Sequence, residues 1–305
     1  MNYRKLKTFS NLFFVFIVFI GLIYTVFLFK LFVETAPGLV MLLVFIVNSV
    51  RYGYSILSVQ SLNLLLITSL ISATTQILIY RYVKTLLLMF KIVGGTRHFT
   101  KKLQPASIED KMVIFSSESI SAFTSGLLHP RIHLPANLKK MHSKEEVRAI
   151  TLHEKQHSLA FDPLKGLVIN GIKDILPGFP FKKWVFGHYF VLVELTADAY
   201  VEKILNKRLP IISALYKQYR SNSVGVSPAV GFSSRQSERI HVLVGKKRIE
   251  IKRPLLVSSI VVTTLFVGTL LIKNKDVFYN CPHLNLCIES AVAPITNNSI
   301  LNSHL

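Results

Sequence analysis

Charged residues are scarce in this chain. They occupy 17% of its 305 positions, while half are hydrophobic, against roughly 25% charged in ordinary soluble domains. A chain with so few solvating groups does not read as a soluble protein, and membrane spans are expected. Acidic residues are scarcest: 16 Asp and Glu face 36 Lys and Arg, a net charge of +20. That balance would suit nucleic acid, but no helix-turn-helix, zinc-finger or RNA-binding signature accompanies it. The Lys and Arg gather instead at the edges of apolar segments, as membrane-orientation signals do. Direct nucleic-acid binding is not expected.

Cysteine is nearly absent. Cys281 and Cys287 are the only two, which excludes a four-cysteine zinc site and a disulfide framework. Any metal must therefore rest on histidines and carboxylates. The pair could close a small disulfide loop in an oxidising compartment or stay as free thiols. No internal repeat or low-complexity run is present.

Apolar segments are plentiful. After the basic start "MNYRKLK", residues 11–33 are long enough to cross a bilayer. No A-x-A-like site ends the stretch, so it reads as a span and not a signal peptide. A loop "ETAPG" then leads to a weaker apolar stretch at 39–50. A third span runs over 62–80 and continues as a lysine-dotted helix to Gly94-Gly95, and a last one covers 255–272. The expected organisation is a membrane region at 1–93 with about three spans, a domain at 94–254, a final span at 255–272 and a short tail at 273–305. Eleven cations flank the central domain (Arg81, Lys84, Lys91, Arg97, Lys101, Lys102, Lys246, Lys247, Arg248, Lys252 and Arg253), which argues that it faces the cytoplasm. Arg4, Lys5 and Lys7 oppose that, because three full spans would put the N-terminus outside. The conflict vanishes if the second stretch does not cross.

The central domain opens with "MVIFSSESISAFTSGLLHPRIHLP", residues 112–135, whose β-branched and aromatic pieces broken by Ser, Gly and Pro predict two or three short strands. Their free edge could accept an extended peptide, or the strands could simply cover the helices. Ser143 and Glu146 form a capping box, so a helix starts there and ends near Asp162, ahead of Pro163. An amphipathic helix follows over 164–176, and another from about Trp184 to Leu205.

The first of these helices carries His153-Glu154-Lys155-Gln156-His157. Residues four apart share a helix face, so two imidazoles can meet at one point with Glu154 beside it. H-E-x-x-H in that setting fits a zinc peptidase, in which the histidines hold Zn²⁺ and the glutamate is the general base toward water. Catalytic zinc takes three protein ligands. A metzincin would take its third from H-E-x-x-H-x-x-G-x-x-H, but Ala160 and Pro163 occupy those positions. Glu194 in "VELTADAY" suits the role. Asp198, one turn on, would accept a hydrogen bond from a ligating histidine and fix its tautomer. Both carboxylates interrupt an apolar helix, where an unpaired charge is expensive. His188 is the other candidate ligand, and Asp162 either caps the next helix or supports the site. His98, His129, His133, His142, His241, His283 and His304 read as surface or core residues.

"LHEKQHSLAFDPLKGL" with the later "ELTAD" resembles the membrane zinc peptidases of the BlaR/MecR type, the beta-lactam-sensing antirepressors. "SAFTSGLLHPRIHLP" resembles the segment leading into their metal helix and "SSRQSERIHVLVG" the segment before their final span. The likeness covers roughly residues 80–275. It implies a mainly α, integral-membrane protein of the bacterial inner (cytoplasmic) membrane, with about four spans and an α+β zincin-like domain inserted between the third and fourth. It also implies a gluzincin-like site, with His153, His157 and Glu194 as ligands and Glu154 as base. Arg239 matches the family's basic position before the last span, to support the site or the transition state or to make a simple salt bridge. The sensors carry a penicillin-binding domain after that span, whereas residues 273–305 here contain no S-x-x-K, so beta-lactam sensing is not expected of this chain alone. The expected function is zinc endopeptidase action on a protein or peptide, a transcriptional repressor among the candidates, in regulated proteolysis. A membrane quality-control peptidase resembling the HtpX type and a non-enzymatic membrane scaffold are the alternatives.

Overall fold

A computed structural model describes residues 2–52, 59–103, 105–109, 112–116, 121–176, 182–220 and 236–245. The span expected at 255–272, the cations at 246–253 and the tail with Cys281 and Cys287 lie outside these residues.

The described chain is mostly helical with one small sheet. Helix α1 (Tyr3–Tyr52) and helix α2 (Val59–Lys102) lead in; strands β1 (Pro105–Glu109), β2 (Met112–Phe115), β3 (Phe123–Ser125) and β4 (Arg131–Pro135) follow. Then come α3 (Leu138–Met141), α4 (Lys144–Ala160), α5 (Asp162–Ile175), α6 (Lys182–Leu205), α7 (Leu209–Arg220) and α8 (Gln236–Leu243).

The N-terminal region departs from expectation at one point. The "ETAPG" segment is no loop: α1 runs through it as one helix of 50 residues, about 75 Å at 1.5 Å per residue. Pro37 removes only one backbone donor, and helix formation, cooperative on both sides of it, carries the helix across that gap. Among the described residues one helix segment, Tyr3–Phe27, is long and apolar enough to cross a membrane. It is apolar on two faces. Phe13 and Ile17 are buried, while Leu12, Val15, Phe19, Leu22, Val26 and Phe29 form an exposed stripe at helical spacing. The buried face meets α6 and α5, with Phe13 against Tyr189 and Gly21 against Ile172.

Two glycines sit where a side chain would meet a neighbour. A Cβ on Gly171 of α5 would stand 2.7 Å from the Met89 sulfur of α2, so an alanine there would make the flexible methionine side chain move aside. Gly126, at φ +102° after β3, takes a left-handed turn that a side chain resists, and a Cβ there would lie 2.6 Å from the His129 carbonyl oxygen.

The sheet has the order β1-β2-β4-β3. β2 and β4 pair in parallel, with Met112 opposite Ile132, and the outer strands pair antiparallel. The β-prone pieces at 112–135 thus become three strands, and a fourth, β1, precedes them. The Ser and Pro content of "PASIE" conceals β1, which is held by pairing with β2 more than by its own propensity. β3 lies at the edge beside α4.

Helix α6 is central. Every residue from 191 to 199 is buried, so this segment has no solvent face, and its polar members Glu194, Thr196 and Asp198 bond to groups inside the protein. α4, α6, α7 and α8 share a core of Ala149, Val201, Ile211, Leu215 and Leu243. The Ser143 capping box is present: its hydroxyl accepts from the Glu146 N–H, and the Glu146 carboxylate accepts from the Ser143 N–H.

Candidate metal centre

The capping box fixes where α4 begins, and that sets the rotation of the two histidines. His153 and His157 both point inward, buried, with rings 4.7 Å apart and nearly perpendicular. Their Nε2 atoms are 3.1 Å apart. From α6, Glu194 brings Oε2 to 3.5 Å from Nε2 of His153 and Oε1 to 3.7 Å from Nε2 of His157. Among the described residues these three form the one group of ligand-type side chains close enough to hold an ion. His188 is not in it. Its Nδ1 hydrogen-bonds the Trp184 carbonyl at 2.9 Å and its ring packs on that indole.

Each histidine is held from behind by a carboxylate. Oδ1 of Asp198 lies 3.0 Å from Nδ1 of His153, bent away from a straight hydrogen bond. Oδ2 of Asp162 lies 2.8 Å from Nδ1 of His157. A carboxylate at Nδ1 favours the proton there and turns the Nε2 lone pair inward. Two imidazole nitrogens and a carboxylate facing one another this closely repel unless a proton or a metal cation lies among them, and three convergent donors fit a divalent metal. Two imidazole nitrogens and one carboxylate oxygen are a set that zinc accepts.

Asp162 acts on the histidine and not as a helix cap: α5 has no side-chain cap. The chain reaches it through Phe161, which closes α4 in the left-handed region at φ 57°. That turn costs roughly 1–2 kcal/mol for a residue with a Cβ. It swings Asp162 back under His157.

Arg239 of α8 completes the arrangement. Its guanidinium stands 2.6 Å from Oε2 of Glu194 and 2.7 Å from Oδ1 of Asp198, with a further bond of 3.1 Å to Oδ2. All three side chains are buried. Burial raises the proton affinity of both carboxylates, but the guanidinium and the histidines outweigh it, holding Glu194 at about 2 and Asp198 below the usual carboxylate range. Burial likewise opposes charge on His153, yet its contacts with Asp198 and Glu194 prevail and push it up to about 9. The pocket thus draws positive charge strongly. Glu154, Glu194 and Asp198 all act on the one Arg239 guanidinium, an excess of negative charge that protons on the histidines or a divalent ion offset.

Two contacts had no signal in the sequence. The Thr124 hydroxyl of β3 lies 2.8 Å from Oε2 of Glu154 and 2.9 Å from its backbone oxygen, tying the edge strand to the general-base candidate. The Tyr3 hydroxyl donates to Oε1 of Gln156 at 3.1 Å, joining the start of α1 to the same helix. Neither threonine in a strand nor tyrosine near an N-terminus is distinctive without coordinates. The other described histidines stand apart: His142 pairs with Glu146 at 3.3 Å, and His133 is buried against Phe123 with Ser125 2.9 Å from its Nε2.

No protein-family model matches the chain, and no curated protein matches it.

Proposed function

We propose that the chain is an integral-membrane zinc endopeptidase with a gluzincin-like site, as its resemblance to the BlaR/MecR type implies. The observation that carries this reading is the convergence of His153, His157 and Glu194 on one point, with Glu154 next in sequence and fixed by Thr124. Zn²⁺ held by those three residues would polarise a scissile carbonyl and lower the pKa of water at the site. Asp198 and Asp162 orient the imidazoles, and Arg239 keeps the Glu194 and Asp198 charges from standing unpaired. Glu154 takes the proton from the attacking water and gives it to the leaving amine nitrogen. Edge strand β3 supplies backbone groups on which an extended peptide can align beside the base. A binding scaffold has no use for a positioned general base, so the Thr124–Glu154 contact favours an enzyme.

Membrane insertion is supported by the exposed apolar stripe of α1 and by the apolar run at 62–80. A cytoplasmic domain is supported by the flanking cations. The two helix ends also speak to orientation: Tyr3 touches Gln156 of α4, and Phe99 of α2 packs against Phe123 of β3. With both ends on the catalytic body, α1 and α2 form a hairpin, and Arg4, Lys5 and Lys7 fall on the same side as the domain. The charge conflict then disappears. The test uses the full chain in nanodiscs: wild type should carry one zinc and cleave an unfolded protein, whereas His153→Ala and Glu194→Ala should lose both. Cleavage by either variant would contradict the ligand assignment.

A further inference from the structure

A cavity of about 530 Å³ opens on the far side of β3 from the metal site, between the end of α2, the sheet and α5. Its lining is one-sided in charge. Among the described residues Arg97, Lys101 and Arg131 contribute cations to its lining, no acidic residue lines it, and none of the three has an ion-pair partner. The rest of the wall is largely aliphatic. At its edge Leu128 and Ile108 are 71% and 60% exposed, and on α2 the exposed Phe90 lies on the face that continues through Val93 and Arg97, which line it. Three cations with no described carboxylate beside them, next to an apolar path, match a ligand with an anionic head and a hydrocarbon tail.

We infer that this cavity binds the phosphate headgroup of an anionic membrane lipid, with Arg97, Lys101 and Arg131 on the phosphate and an acyl chain along the apolar face of α2. The inference rests on the membrane reading of the chain. An acidic peptide would satisfy the cations but has no use for the exposed Phe90 and Leu128. The position has a consequence for the peptidase. Successive strand residues point to opposite faces: Thr124 turns toward Glu154, and its neighbour Ser125 lines the cavity. A lipid seated there touches the strand that holds the general base.

The experiment reconstitutes the full chain in phosphatidylcholine vesicles with and without phosphatidylglycerol, scores flotation, and measures phosphatidylglycerol retained after detergent extraction. An Arg97→Gln/Lys101→Gln/Arg131→Gln variant is compared with Lys139→Gln/Lys140→Gln/Lys144→Gln, which removes as many exposed cations elsewhere. Each cation near an anionic headgroup is worth about fivefold in binding, so the cavity variant should lose on the order of a hundredfold in preference for phosphatidylglycerol. The control should retain it. Equal retention by both variants, with normal flotation, overturns the lipid site alone; failure of wild type to float overturns the membrane reading and the lipid site together. Displacement of phosphatidylglycerol by soluble glycerol phosphate at comparable concentration would also overturn it, reducing the cavity to a phosphate site.

Discussion

Oδ2 of Asp162 lies 2.8 Å from Nδ1 of His157, five residues along the chain and across a helix break. The contact exists because Phe161 leaves the helix in a left-handed conformation and returns the next side chain beneath the imidazole. Removing a carboxylate that orients a ligating histidine costs about 10- to 100-fold in metal affinity. Asp162→Asn should therefore bind zinc about that much more weakly, read by competition with a chromogenic chelator, with the helices retained by circular dichroism. Unchanged affinity would return Asp162 to a purely structural role.

Thr124 should matter for rate and not for metal. A hydrogen bond to a charged group contributes about 1.5–3 kcal/mol, or roughly tenfold to a hundredfold in kcat if it is needed to hold Glu154. Thr124→Val should show that loss with zinc content and KM unchanged, and Thr124→Ser, which keeps the hydroxyl, should recover most of it. A valine variant at full rate would show that the base needs no support from β3.

Much of the site was legible beforehand, for a physical reason. The 3.6-residue repeat brings His153 to His157 and Glu194 to Asp198, and a capping box announces a helix start, so local rules suffice for these. What the sequence concealed depends on distance along the chain. Thr124 and Glu154 are 30 residues apart and Tyr3 and Gln156 are 153 apart, and no period links them. Asp162 stayed undecided between cap and support because the decision lies in the backbone angle of Phe161. Proline and glycine make "ETAPG" look like a loop, but the helical segments on both sides carry α1 through it.

Arg239 is expected to be a stability residue as well as a neighbour of the metal. Arg239→Met leaves the buried Glu194 and Asp198 carboxylates without their guanidinium, and breaking such a buried pair costs about 3–5 kcal/mol. Metal-free protein should show the larger fall in unfolding temperature, since bound zinc supplies part of the lost charge. Equal falls in both forms would mean that the guanidinium and the metal do not share the same carboxylates.

Acid should destabilise the domain in two stages. Burial and the Arg131 charge lower His133 to about 4, whereas an unfolded histidine titrates near 6.5. Between those values the unfolded chain takes up the proton first, so stability falls as pH drops through that window. For Glu146, burial raises the pKa, but the hydrogen bonds from Lys217, Ser213 and Ser143 outweigh it and hold it at about 2. Its contribution is whole above about pH 4.5 and is lost as pH falls toward 2. Thermal unfolding across pH should show both limbs, with His133→Gln flattening the upper and Glu146→Gln the lower.

The central claim is that Glu154 is the general base of a metal-dependent hydrolysis, and the Glu154→Gln variant tests it most directly. The amide keeps the shape and the Thr124 contact but cannot take a proton, and general-base catalysis is worth about 10²- to 10⁴-fold. Zinc content and cleavage of an unfolded protein are measured on the same nanodisc preparation, beside wild type. Full zinc with cleavage reduced by that factor is the expected result; full zinc with wild-type cleavage would contradict the assignment.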